Sequence, residues 1–226
     1  MPRALAFAVG FDEKLVLRSA FRVGLRPDDH AVLVYSLSGD EQSKAKTLTA
    51  LETVRRVFSS AGIKLREVEL QAADFGRDVG TVVKALRELT PSELVIALGS
   101  GMRYFGVVLT YAALLYRELY HAGCRLLLHV MREDGLYDVA VPLDVLELRL
   151  GPRELEALCL LKPGEEPPRD ELVKRVVRSF GVSQSTAYAL VERMGKRGLV
   201  SVSYGRVEPT PLARAIYHSY CEEKST

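Results

Sequence analysis

Apolar residues follow two alternating rhythms over the first 141 positions. Short, almost wholly apolar runs stand at Ala4–Val9, Ala31–Tyr35, Leu94–Leu98 and Arg125–Met131. Runs of this length and density predict parallel strands covered on both faces. Between the runs, apolar spacings of three and four predict helices over about 13–24, 41–61, 75–89 and 103–122. Lys64–Leu70 mixes charge with apolar positions, as an edge strand does. Tyr137–Val141 predicts a final strand, antiparallel at the other edge. The alternation predicts an α/β fold: a doubly wound, Rossmann-like, mostly parallel sheet of order 3-2-1-4-5.

Beyond residue 141 the rhythm changes. Residues 142–151 read as a linker ending in Gly151-Pro152, and residues 152–226 as a smaller second domain. Pro152 opens a helix carrying Leu155, Leu158 and Leu161. After the loop Lys162–Pro168, Asp170 is the expected cap of a helix whose apolar face is Leu172, Val173, Val176, Val177 and Phe180. Gly181 ends it, and Ser183 caps a third helix with Ala187, Leu190, Val191 and Met194 inward. Helix, short glycine turn and helix is helix-turn-helix spacing. Leu199–Ser203 then alternates as a strand, Tyr204-Gly205-Arg206 turns, and Thr210-Pro211 starts a last helix. The pattern predicts a winged helix-turn-helix.

Charge sharpens that reading. The chain carries a formal net charge of only +2, but seven cations (Lys174, Arg175, Arg178, Arg193, Lys196, Arg197 and Arg206) face one acid, Glu192, between 174 and 206. A basic excess of this kind marks a surface that meets phosphates. Ser183, Gln184, Ser185, Thr186 and Tyr188 lie early in the third helix, where base edges are read. Arg193, Lys196 and Arg197 lie further along, with Tyr204 and Arg206 at the wing.

Composition excludes several classes. The longest apolar stretch, Tyr104 to Tyr116, is too short to span a bilayer core of ~30 Å. No repeat or low-complexity tract points to a solenoid or a disordered chain. Cys124, Cys159 and Cys221 are odd in number and widely spaced, which predicts neither a disulfide framework nor a metal site and fits a reducing cytoplasm. The absence of Asn and the presence of only three Gln hint at a thermophilic source.

Candidate chemistry centres on Gly99-Ser100-Gly101-Met102-Arg103, between an apolar strand and a helix. Glycines there let backbone N–H groups approach a ligand, the helix start adds partial positive charge, and Arg103 adds a full one. In a 3-2-1-4-5 sheet, strands one and four flank the topological switch point, so ligands bind at their carboxyl ends. Gly10, Phe11 and Asp12 end strand one; Ser36, Leu37 and Ser38 end strand two nearby. A nicotinamide enzyme is disfavoured, because Gly-x-Gly-x-x-Gly should follow the first strand.

Val9-Gly10-Phe11 with Gly99-Ser100-Gly101-Met102-Arg103, ahead of a winged helix, resembles the archaeal CRISPR-associated transcription regulators that carry a CARF (CRISPR-associated Rossmann fold) domain. The resemblance covers essentially the whole chain. It implies a cytoplasmic homodimer that binds a cyclic oligoadenylate, often cyclic tetra-adenylate, across its two-fold axis, and promoter DNA in CRISPR loci through paired winged helices. It implies no other cofactor and no membrane partner. By the resemblance Gly10, Phe11, Gly99, Ser100, Gly101, Met102 and Arg103 contact the ligand. Some such domains also cleave the ring without metal, which is the alternative here. That reaction needs a positioned base or a strong cation clamp; Ser100 and Arg103 could position and stabilise, but no base stands out. His129 falls within a strand, His30 at the far end of strand two, and His121 and His218 on helices away from the loops. Ligand sensing without catalysis is therefore the expectation.

Overall fold

The computed structural model describes residues 3–99, 101, 103–132, 138–143 and 150–222. The chain divides into two compact units, residues 1–74 with 81–148 and residues 75–80 with 149–226. The predicted positions Ser100, Met102 and Tyr137, and most of the predicted linker, fall outside the described residues.

The first unit is built on a six-stranded sheet of order β3-β2-β1-β4-β5-β6. Its strands are β1 (Arg3–Ala8), β2 (His30–Tyr35), β3 (Lys64–Glu69), β4 (Glu93–Leu98), β5 (Arg125–Met131) and β6 (Asp138–Pro142). All pairings are parallel except β5 with β6. β1, β2 and β4 are buried along nearly their whole length, which is why their sequences carry no polar alternation. β3 is half-charged because it is an edge.

Side chains of alternate residues leave β1 on opposite faces. On one face Leu5, Phe7 and Val9 join Val16 and Ala20 of α1 (Glu13–Val23) and Ala50, Leu51, Val54 and Phe58 of α2 (Glu41–Ser60). α4 (Arg103–Tyr120) packs on β1, β4 and β5, burying Phe105, Val108, Leu109, Ala112 and Ala113. The remaining helix, α3 (Phe75–Leu89), precedes β4. Val9, the residue after β1, donates its N–H to Val34 O at 2.8 Å, so the ends of β1 and β2 stay side by side.

The second unit contains α5 (Pro152–Cys159), α6 (Arg169–Phe180), α7 (Gln184–Lys196), the antiparallel hairpin β7 (Val200–Ser203) and β8 (Arg206–Pro209), and α8 (Pro211–Ile216), which runs on into a π-helical turn over Tyr217–Cys221. Gly181 adopts φ 62° and closes α6, and Ser183 Oγ accepts from Thr186 N at 3.2 Å to cap α7. The core joins Leu158, Leu172, Val173, Val176, Val191, Met194 and Ile216, all fully buried.

Three expectations need correction here. Asp170 does not cap α6: the cap position is Pro168, without a side-chain bond, and Asp170 lies in the first turn, accepting from Tyr188 Oη at 2.6 Å. The hairpin tip is Tyr204-Gly205, both at positive φ, as a two-residue type I′ turn requires. Arg206 is instead the first residue of β8, donating to Glu166 O at 2.9 Å. Finally, Cys159 and Cys221 are joined in a disulfide, while Cys124 is a buried thiol. The two are 62 residues apart in sequence, and only the fold brings them together.

Candidate functional site

The switch point between β1 and β4 is closed by glycine. A Cβ on Gly10 would stand 2.9 Å from Gly101 Cα, and one on Gly101 would stand 2.7 Å from Ala8 Cβ. Gly101 also takes φ +78°, a left-handed conformation that other residues reach only with strain. The loops after the two strands therefore meet backbone against backbone, and Gly101 becomes a wall shared by two cavities.

The first cavity, about 260 Å³, lies over the ends of β1 and β2. Val9, Leu15, Leu37 and Phe105 give it apolar walls, and Gly10, Phe11, Asp12, Ser36 and Ser38 come from the two loops. Phe11 is 61% exposed, an aromatic face open to a planar ligand. The Ser36 and Ser38 hydroxyls lie 2.6 Å apart, and Ser38 N donates to Ser36 Oγ at 3.0 Å. Asp12 caps α1 by accepting from Lys14 N at 2.9 Å, so its carboxylate has a structural use.

Ser43, Lys44 and Thr47 on the first turns of α2 also line this cavity, and sequence reasoning missed them. The signal was available: the helix that follows β2 must begin beside the same switch point. Asp40 caps it, accepting from Ser43 N at 2.7 Å, and that bond holds its carboxyl below the usual carboxylate range. Lys44 is paired with Glu41 at 2.6 Å.

The second cavity, about 620 Å³, is bounded by Gly99, Gly101, Arg103, Gly106, Thr110, Met131 and four further side chains, one each from α1 and β4 and two from α4. Arg103 is the first residue of α4, exposed, and without an ion-pair partner among the described residues. Val107 and Tyr111 follow on the same side of α4 and are 49% and 38% exposed. The structure thus brings Gly10, Phe11, Asp12, Ser36, Leu37, Ser38, Gly99, Gly101 and Arg103 around two adjoining cavities.

His129 lines neither cavity; it is buried, with Nε2 2.9 Å from Asp138 Oδ2, and Asp138 in turn lies 3.5 Å from Arg22. Among the described residues no group of three His, Cys, Asp or Glu could hold a metal ion. None of the described helices is long and apolar enough to cross a membrane.

In the second unit Gln184, Ser185 and Thr186 are exposed on the first turn of α7. Ser183 Oγ lies 2.9 Å from both the Ser185 and Thr186 hydroxyls. Tyr188 sits under the Arg169 guanidinium at 5.3 Å, and donation to Asp170 pushes its pKa up. The expected phosphate cations are held locally. Arg193 and Arg197 both pair with the buried Glu154, at 3.3 and 2.8 Å, and Lys196 pairs with Glu192 at 2.8 Å. Arg175 bridges Glu165 and Glu171, each at 2.7 Å, and its bond depresses the pKa of Glu165. Lys174 and Arg178, one turn apart on α6, are exposed and have no ion-pair partner among the described residues. Tyr204 is fully exposed at the hairpin tip.

No curated protein sequence matches the chain. Among solved structures it is similar to Can2 from Sulfobacillus thermosulfidooxidans in complex with cyclic tetra-adenylate, with a TM-score of 0.43 at 10% identity. That likeness covers 96% of this chain and 63% of the other, so the chain spans less than two thirds of that neighbour. Residues 3–139 match the model of the Csa3 CRISPR-associated Rossmann-like domain, and with the switch-point site they contain the chain belongs to that family.

Proposed function

We propose that this protein senses a cyclic oligoadenylate, with cyclic tetra-adenylate the first candidate, at the β1–β4 switch point, and transmits binding to DNA through a C-terminal winged helix. The observation that carries the reading is the pair of cavities joined at Gly101, with an exposed aromatic at one mouth and the exposed Arg103 at the other. An apolar cavity rimmed by hydroxyls accepts a nucleobase and ribose. Backbone N–H groups at a helix start, with a guanidinium beside them, accept a phosphate.

Two copies related by a two-fold axis would present the loops twice to a ring with matching symmetry. The exposed Val107 and Tyr111, continuous with Arg103 on α4, are the face we assign to that contact. In the second unit the order of α6, α7 and the β7–β8 hairpin supports a winged helix-turn-helix, in which the exposed Gln184, Ser185 and Thr186 would read base edges. Regulation requires the ring to prefer one arrangement of the paired DNA-binding units, since equal affinity for both would shift nothing.

The test is fluorescence anisotropy of duplex DNA from a CRISPR promoter, titrated with the purified protein with and without cyclic tetra-adenylate. A change of at least several-fold in DNA affinity is expected. Equal curves would remove the coupling, and no DNA binding at moderate salt would remove the regulator reading.

A further inference from the structure

The hairpin tip of the second unit carries an aromatic ring where its turn favours glycine, asparagine or aspartate. Tyr204 and Gly205 stand at φ 49° and 73°, the two central positions of a type I′ turn. A bulky side chain in the left-handed region is strained, and such outliers persist only where the surrounding structure holds them. Here it does. Ser203 pairs with Arg206 across the turn, Arg169 N donates to Gly205 O at 2.8 Å, and Arg206 donates to Glu166 O at 2.9 Å. Among the described residues Tyr204 is the only aromatic at positive φ, and it is the most exposed large hydrophobic side chain. The ring therefore gains no burial that would offset the strain of its backbone.

The tip is apolar rather than basic. Alternate residues share a face along β7, and on the face that starts in the core exposure climbs from the buried Val200, through Val202 at 49%, to the fully exposed Tyr204 just beyond the strand. Arg206, the cation that the sequence places at the tip, spends a guanidinium N–H on the Glu166 carbonyl instead. We infer that Tyr204 is an affinity-determining residue of the DNA-binding unit: its ring enters the minor groove of duplex DNA and wedges against a base step, with Val202 behind it. The inference rests on the DNA reading above. Apolar side chains part neighbouring bases in that groove, and such a wedge neutralises no phosphate. Tyrosine, at a position where asparagine would relieve the backbone, then trades hairpin stability for DNA contact.

The experiment compares wild type with Tyr204→Asn and Tyr204→Phe by thermal unfolding and by fluorescence anisotropy of duplex DNA from a CRISPR promoter. The titrations are run over a range of salt, with and without a minor-groove drug such as netropsin on the duplex. Tyr204→Asn should melt about 2–4 °C higher, because asparagine suits the turn. It should nevertheless bind DNA about tenfold more weakly, the worth of one stacked ring. Its salt slope should match that of wild type, since no phosphate contact is lost. Tyr204→Phe should bind as wild type does, because the ring and not the hydroxyl makes the contact. The drug should weaken binding by wild type more than by Tyr204→Asn. Equal affinity of wild type and Tyr204→Asn overturns the inference and leaves the DNA reading intact. A shallower salt slope for Tyr204→Asn does the same, since the loss would then be electrostatic. A lower melting temperature for that variant would show that the ring packs on the protein, and overturns the inference as well. No duplex binding by the wild type overturns both readings.

Discussion

Arg103 at the switch point and the cations around α7 in the second unit hold their charge in opposite ways. At the switch point Arg103 stands exposed at a helix start, with no ion-pair partner among the described residues and two glycines beside it that clear the approach. In the second unit Arg193, Lys196, Arg197 and Arg175 are each engaged by carboxylates, two of them by the buried Glu154. A cation without a partner offers its whole interaction to a ligand. A cation already paired offers only the difference between its present acid and the new phosphate. The lesson is that the net charge of a segment does not measure its readiness to bind: of a surplus of six positive charges over residues 174–206, half is offset by Glu154, Glu165 and Glu171 lying outside it.

Internal bracing of the second unit gives the largest expected effect. Replacing Cys159 and Cys221 together with serine should cost about 4 kcal/mol, since the bridge closes a 62-residue loop in the unfolded chain. Chemical denaturation would measure it, and the affinity of the switch-point site should stay unchanged. A matching loss of ligand affinity would break the separation between the units.

Glu154→Ala comes next. It removes a carboxylate that binds two guanidiniums and caps α5 through Gly151 N at 2.8 Å, at a cost of about 2–3 kcal/mol. The same variant frees Arg193 and Arg197, so the salt dependence of DNA binding should steepen. An unchanged slope would show that these arginines never reach phosphate.

At the other site, Arg103→Ala should weaken cyclic tetra-adenylate binding by about 10- to 100-fold, the worth of a charge-assisted hydrogen bond. DNA affinity without ligand should remain within a few-fold. Unchanged ligand affinity by calorimetry would take Arg103 out of the site.

The smallest effects belong to the surface cations. Lys174→Ala and Arg178→Ala should each shallow the salt slope of DNA binding by ~1 if each meets a phosphate. Arg193→Ala and Lys196→Ala should do so as well, but with a smaller loss of affinity, because each is already paired. Equal losses for all four would erase the distinction between paired and unpaired cations.

The sheet was legible because its chemistry is repetitive. The apolar density of β1, β2 and β4 and the charge on β3 follow directly from burial, and the strand order followed from connection rules. Gly10, Gly101 and Arg103 were legible as candidates for the switch-point cavities, because glycine and a cation at a strand-to-helix turn suit an anion site. What stayed hidden depends on contacts between distant positions. Lys44 and Thr47 read as ordinary helix surface until α2 is placed beside the end of β2. Spacing alone does not link Cys159 with Cys221, and a periodicity argument does not foresee Glu154 reaching α7, because each rests on tertiary packing. Asp170 misled for a local reason: a strong capping residue lay within one position of the helix start, and proline took the cap.

The central claim is that the β1–β4 switch point binds a cyclic oligoadenylate. Calorimetric titration of the purified protein with cyclic tetra-adenylate, run beside linear tetra-adenylate, tests it most directly. The account predicts tight binding of the ring at one per two chains and much weaker binding of the linear form. Failure of the ring to bind, or equal affinity for both at one per chain, would contradict it.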